Sequence, residues 1–327
     1  IYRLKEGINL PPKKFFMKQI MMRRVIYSLL PIILASVYFF GFKALTLQIV
    51  VLGFAILTEY MFEKRLNKPV SEAVIVTSIL YTLTLPVATP YWVAVLGIIF
   101  GVVFGKEVFG GFGKNVFNPA LVGRAFVYIS FPIPLTAMWN EVSTSFPGGF
   151  ARYMTPVIDT VSMATPMTIY RTTGELASIN DLLFGAVSGS LGETSKILII
   201  LAGAYLIYTK TASWQIMVSV VLGFLVSSYA MIAFGFTQVL NPIYGMLSGG
   251  FLFATVFMAT DPISSASTKE GKWIYGTLIG FVSVVIRSFA LFAGGVMFAI
   301  LIVNTFTPLI DELVKMHKKR LKEKEAA

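Results

Sequence analysis

A chain of 327 residues, 56% hydrophobic and 13% charged, falls well below the roughly 25% charge of soluble domains and reads as an all-α integral membrane protein. Cysteine is absent and His317 is the only histidine. This excludes disulfides, Cys-ligated zinc and an iron–sulfur cluster built from this chain alone, so any redox group is organic or belongs to a partner. The net charge of +11 is concentrated at the two ends, which points to membrane topology and lipid headgroups and gives no nucleic-acid partner.

Residues 1–23 form a basic N-terminal segment, and the apolar run after it is too long for a cleavable signal. A bilayer core of about 30 Å takes roughly 20 apolar residues per helix. Ten crossings are placed at 24–42, 44–62, 69–86, 90–106 and 116–133, then 193–209, 212–235, 239–260, 272–288 and 290–309. No strand-like alternation suggests a barrel, and unpaired backbone cannot face lipid, so the spans are helical. A polar stretch, 134–192, separates a first membrane half, 24–133, from a second, 193–309, and a basic tail, 310–327, ends the chain. With ten spans both termini share one side. That side carries seven Lys and Arg before residue 25 and six after residue 310, the excess expected of the cytoplasm. Both termini are therefore expected on the cytoplasmic side, with 134–192 outside.

Five spans per half make the halves opposite in direction. Leu85-Pro86 and Pro90-Tyr91 lead into a Gly-rich span ending at Gly105-Lys106-Glu107, and Asn241-Pro242 into one ending at Thr260-Asp261-Pro262. Each is followed by a polar, small-residue loop and a span with an arginine, Arg124 or Arg287. Two inverted five-helix repeats with broken or re-entrant segments are expected, and such repeats place ligand sites near the membrane middle.

Between Phe109 and Pro119 three glycines, including Gly113, allow backbone to approach a ligand. Asn115 and Asn118 offer amides to the edge of a heteroaromatic ring. The plainer reading is a re-entry turn in which Asn118 caps a helix that has Pro119 in its first turn. The Gly-Lys-Ser/Thr ending of a phosphate loop is missing. Four acids, Glu59, Glu107, Asp261 and Asp311, sit near span ends. Ionisable groups at membrane depth are functional candidates, here for a cation pathway, although carboxylates at helix ends are also easily solvated. Trp139, Phe150 and Tyr153 read as an interfacial belt or as neighbours of an aromatic ligand.

Several stretches carry a family resemblance. They are Val76-Thr77-Ser78-Ile79-Leu80, Gly105-Lys106-Glu107-Val108-Phe109-Gly110-Gly111, Asn115 to Phe126, Gly189-Ser190-Leu191-Gly192-Glu193, Met258-Ala259-Thr260-Asp261-Pro262 and Thr307-Pro308-Leu309-Ile310-Asp311. Together they resemble the NqrB/RnfD family, membrane components of the sodium-translocating NADH:quinone reductase and of the Rnf complex, over nearly the whole chain. The stretch Asp159-Thr160-Val161-Ser162-Met163-Ala164-Thr165 is similar to that family's flavin-attachment signal. The resemblance implies FMN esterified through its phosphate to Thr165 by a separate flavin transferase, with Asp159, Ser162, Met163 and Ala164 in the recognised pattern. Met163 stands where the usual signal has glycine. It also implies a second flavin, riboflavin, near Asn115 and Asn118, and cation uptake linked to acids matching Glu59 and Asp311. Arg124 is then placed to meet a flavin anion or to pair with an acid, and Arg152 and Arg171 either neutralise the flavin phosphate or are solvated loop charges.

On this reading the chain is an electron-transfer subunit of a sodium- or proton-translocating oxidoreductase complex and is not catalytic alone. Its implied partners are an extracytoplasmic FMN subunit, iron–sulfur subunits and a quinone beside Gly53, Phe126 or Tyr128. The competing readings are a non-redox secondary transporter or channel with inverted repeats, and a structural membrane scaffold.

Overall fold

The computed structural model describes residues 15–140, 142–143, 146–151, 165–193, 195–290 and 294–326. The first half opens with a two-residue strand, β1 (Phe16–Met17), and helix α1 (Ile20–Phe40). Gly41, at φ 83°, turns the chain into α2 (Phe42–Arg65), a conformation that side chains rarely adopt. Lys64 and Arg65 close α2 where its dipole favours cations. Strand β2 (Val70–Ser71) pairs in parallel with β1, which ties the start of α1 to the end of α2. Then come α3 (Ala73–Leu83), α4 (Tyr91–Gly105) and α5 (Pro119–Ser130).

Three short helices follow on the face opposite the termini: α6 (Pro132–Thr136), α7 (Pro166–Thr173) and α8 (Ile179–Phe184). The second half runs α9 (Lys196–Tyr208), α10 (Trp214–Ala233), α11 (Pro242–Leu247) and α12 (Phe251–Phe253), which continues into a π-helical turn at Ala254–Met258. It ends with α13 (Lys269–Phe289) and α14 (Gly295–Ala326). Leu34, Ile49, Leu57, Val226 and Phe306 lie exposed on the outside of the bundle, the apolar belt that a bilayer covers. The chain is an all-α, multi-pass membrane protein.

Among the described residues, six helices are long and apolar enough to cross a membrane: Ile20–Phe40, Phe42–Arg65, Tyr91–Phe109, Trp214–Ala233, Lys269–Phe289 and Gly295–Glu325. The remaining four expected crossings are short or broken, which corrects their boundaries. The one expected over 69–86 is helical only from Ala73 to Leu83, about 16 Å of rise, because Pro86 and Pro90 stop it. The one over 239–260 breaks at Ser248–Gly250, where Gly249 takes φ 62°. Those over 116–133 and 193–209 reduce to Pro119–Ser130 and Lys196–Tyr208. Broken backbone at membrane depth needs partners inside the protein. At the end of α3 these come from the last residues of the stretch between the halves: Gly192 N–H donates to Leu83 O at 2.7 Å and Leu191 N–H to Leu85 O at 3.0 Å.

The halves repeat one packing scheme. α2 packs on α3 and α4, and α4 on α5; likewise α10 packs on α11 and α13, and α13 on α14. α1 starts beside the termini whereas α9 starts on the opposite face, with Lys196. The equivalence differs from the sequence reading: α4 matches α13, and the broken α11–α12 segment matches α3. Arg124 and Arg287 are therefore on non-equivalent helices.

Glycine seams bring these pairs together. A Cβ on Gly101 of α4 would lie 2.5 Å from Pro119 O and 3.0 Å from Gly123 Cα of α5, and one on Gly280 of α13 would lie 2.4 Å from Phe224 N of α10. In lipid, helices associate through such small-residue contacts. Gly280→Val is expected to destabilise the fold by about 1–3 kcal/mol through overpacking, read as a lower thermal midpoint in detergent.

Candidate functional site: two cavities and an acid cluster

A cavity of about 390 Å³ opens on the face opposite the termini. Thr165, Thr168 and Arg171 of the α7 region, Arg124 and Tyr128 of α5, Glu193, and Lys196 of α9 line it, with Phe253, Ala254 and Met258 as its floor. Thr165 is in extended conformation and caps α7, with Pro166 in the first turn. Its Oγ1 accepts from Thr168 N–H at 3.4 Å and lies 3.0 Å from Thr168 Oγ1. Arg124 is 5% exposed; it stands over the Tyr128 ring, and its Nη1 has no hydrogen-bond partner among the described residues. Arg171 donates to Arg287 O, and Lys196 Nζ to Glu193 O. Among the described lining residues, three cations face one carboxylate, so the cavity favours an anion.

Arg287 sits behind this wall and donates to Gly245 O at 2.6 Å and Ser248 O at 3.4 Å. It satisfies the last carbonyls of the broken helix α11.

A smaller cavity of about 60 Å³ lies towards the termini. Met22, Val76, Leu80, Lys106, Asn115, Asn118 and Asp261 are among its walls. Asn115 Nδ2 donates to Phe117 O at 3.0 Å, and Asn118 Oδ1 accepts from Ala120 N–H at 3.0 Å, capping α5 as its sequence suggests. Along α3 the two cavities end at Leu80 and Thr84, about 6 Å of helical rise apart.

The sequence-derived cofactor residues are thus divided. Asn115 and Asn118 line the inner cavity; Arg124 lies in the outer one with Thr165. Gly113 lines neither, and its φ of +87° in open space makes it a turn residue. Asp159, Ser162, Met163 and Ala164, with Arg152 and Tyr153, lie outside the described residues.

The acids also separate. Glu59 is fully buried, accepting from Ser71 N–H at 2.7 Å and from Lys106 Nζ at 2.5 Å. Lys106 Nζ also donates to Ser71 Oγ at 2.7 Å and lies 3.9 Å from Glu107. Glu63, one turn after Glu59 on the same face of α2, is buried beside them. The sequence reading missed it, although the i, i+4 spacing of two glutamates near a span end signals it. Asp261, on the inner cavity, accepts from Ser264 Oγ at 2.7 Å and Ser264 N–H at 3.3 Å, a local cap.

Asp311 on α14 accepts four bonds of 2.6–3.0 Å from the N–H and hydroxyl groups of Ser267 and Thr268. That uses its acceptor capacity and clamps α14 to the start of α13. Asp311→Ala is expected to cost about 1.5–3 kcal/mol, measured as a fall in thermal midpoint, whereas a surface acid is near neutral.

Comparison with known proteins agrees with this architecture. A profile of the NQR2, RnfD, RnfE family matches residues 15–320. The NqrB component of the Na(+)-translocating NADH-quinone reductase of Pseudomonas paraeruginosa is 42% identical over 265 residues, covering 78% of this chain and 63% of the relative. The component of the same name from Yersinia pestis is 37% identical over 275 residues, 78% of this chain and 62% of its own. That of Chromohalobacter salexigens is 39% identical over 277 residues, covering 82% and 65%. The chain spans a little under two thirds of the length of these relatives. The matching order of residues from β1 to the far end of α14 places it: the chain belongs to the NQR2, RnfD, RnfE family.

Proposed function

We propose that this chain is the flavin-carrying electron-transfer subunit of a sodium-translocating oxidoreductase complex, with FMN esterified through its phosphate to Thr165. The observation that carries this reading is the position of the Thr165 hydroxyl, on the rim of a cavity whose titratable walls are mainly cationic. At about 390 Å³, the cavity is within the range of about 300–1,000 Å³ typical of cofactor and ligand sites. When bound, the isoalloxazine supplies the redox chemistry that side chains here lack.

The chain's own residues bind and orient. A phosphate on Thr165 Oγ1 stands at the N-terminus of α7, where the helix dipole and free N–H groups favour negative charge. Arg171, from the same helix, adds a cation on the cavity wall. Arg124 brings a buried guanidinium with an unfilled donor, matched to a ring carbonyl or a flavin anion. Phe253, Ala254 and Met258 close the floor against water.

The inner cavity does not fit a second flavin as it stands: about 60 Å³ holds a few waters. Riboflavin at Asn115 and Asn118 requires α1 and the π-helical turn to part, and no step is routed through it. Electrons enter and leave through partner subunits, because this chain has no cysteine for an iron–sulfur cluster. The basic ends put the termini and the acid cluster in the cytoplasm and Thr165 outside the bacterial inner membrane.

Broken helices in inverted repeats also suit a secondary transporter without a redox group. The two readings part in one measurement. Chain made with a working flavin transferase, run on a denaturing gel, is expected to fluoresce, and its intact mass is expected to rise by one FMN less water. An unmodified mass favours the transporter.

A further inference from the structure

Glu193 is the single carboxylate among the described lining residues of the outer cavity, set among Arg124, Arg171 and Lys196. Its charge acts on Arg124 and Lys196 in the wall and on Arg287 behind it. Arg124 and Lys196 are both buried, so water and salt screen little of that interaction. The backbone is built to hold the carboxylate there. A Cβ on Gly250, where the broken helix resumes, would lie 2.4 Å from Glu193 Oε1, and one on Gly189 would lie 3.9 Å from Oε2. No side chain fits at Gly250 while the carboxylate keeps its place. The two residues before Glu193 are pinned to the end of α3 by their N–H groups, and Lys196 Nζ donates to Glu193 O.

A phosphate esterified on both sides carries one negative charge. With that group on Thr165, three cations of the described wall face two anions, Glu193 and the phosphate. One electron on the ring then brings the wall to balance. The electron comes from a partner subunit, and it adds one negative charge to the ring where no proton accompanies it. Charge beside the ring tunes its potential, and inside a cavity of low dielectric the effect is larger than in water. Arg124 and Lys196 favour the added charge, and Glu193 opposes it.

We propose that Glu193 is the counter-charge that sets the potential of the Thr165 flavin, holding it below the value that the wall cations alone would give. This deepens the flavin reading above and rests on it. Glu193 works through the field it lays across the cavity and against Arg124. The break between α11 and α12 has its place in this arrangement, since Gly250 leaves the room in which the carboxylate stands.

The test uses the full chain in detergent, made with the transferase, in a redox titration followed by visible absorbance. The Thr165 flavin is the signal missing from Thr165→Val. Glu193→Gln is expected to raise its midpoint potential, favouring the reduced ring about tenfold, or about 59 mV for one electron. Arg124→Gln should lower it by a similar factor, with the double variant between the two. Glu193→Asp keeps the charge and should return most of the shift, which a role in packing alone would not do. An unchanged or lower potential in Glu193→Gln overturns the proposal. If that variant does not fold, the double variant, which also loses the facing cation, is compared with Arg124→Gln: it should lie higher, and equal potentials overturn the counter-charge. The flavin reading fails separately. If the denatured chain is dark and its mass unmodified, free FMN added to the folded chain reads the same balance. Glu193→Gln should then bind it about tenfold more tightly and Arg124→Gln about tenfold more weakly. Equal Kd values, or no binding, overturn the counter-charge, and a fluorescent band with unchanged potentials removes the counter-charge alone.

Discussion

Thr165→Val made with the transferase is expected to give a dark band on a denaturing gel, a complete loss of covalent flavin from this chain. Valine keeps the β-branched shape of threonine and loses only the hydroxyl that the ester needs. The loss of the cap has its own consequence. Thr165 Oγ1 accepts from Thr168 N–H at the start of an eight-residue helix, so removing it costs about 0.5–2 kcal/mol locally. The bundle does not depend on α7, and the thermal midpoint should move little.

Thr165→Ser separates the two roles. Serine caps as well as threonine and keeps a hydroxyl, so α7 is preserved and any fall in labelling reports the transferase's need for the methyl group. A valine variant that still fluoresces places the ester on another residue. Thr168, whose Oγ1 lies 3.0 Å away, is then the first to replace.

Much of the architecture was legible because the membrane imposes it. Charge-free runs of about twenty residues have few alternatives, and the break after α3 follows from Pro86 and Pro90. The π-helical turn at Ala254–Met258 was not legible, since apolar sequence reads the same whether the helix is regular or locally widened. The repeat was visible, but its register was misread. Proline-led entry into a Gly-rich helix matches α4 to the α11–α12 segment by composition, whereas packing matches α4 to α13, each lying against the second and the last helix of its own half.

At the site, the capping role of Asn118 was available from the Asn-Pro pair. The partners of Lys106 were not available. Glu59, Ser71 and Lys106 are brought together only when α2, β2 and α4 meet. The place of Lys196 was not available either: it becomes a cavity wall beside Glu193, where the stretch before it folds back onto the end of α3.

The corrected register exposes a shared device. Lys106 follows the last residue of α4, and Arg287 lies in the last turn of the equivalent α13, at opposite faces of the bundle. Each is buried, and each reaches the element that stands third in its half: Lys106 the strand leading into α3, Arg287 the carbonyls of α11. A long helix that ends in a buried cation satisfies polar groups which a half-helix leaves unpaired at membrane depth. The device serves different ends. Arg287 is held by backbone oxygens of Gly245 and Ser248. Lys106 is held by a carboxylate and a hydroxyl.

That difference predicts the largest stability effect in the chain. Glu59→Leu leaves the Lys106 ammonium, 3% exposed at its side chain, without its main partner, and breaking a buried pair from one side costs about 3–5 kcal/mol. Lys106→Met leaves Glu59 as an unbalanced buried carboxylate and should cost a similar amount. Replacing both, Glu59→Leu with Lys106→Met, fills the space with apolar groups of similar volume, and such exchanges of a buried pair are often neutral. The double variant is therefore expected to be more stable than Glu59→Leu alone, a non-additivity that a double-mutant cycle on thermal midpoints measures directly. Additive losses would mean that the two side chains do not act as a pair.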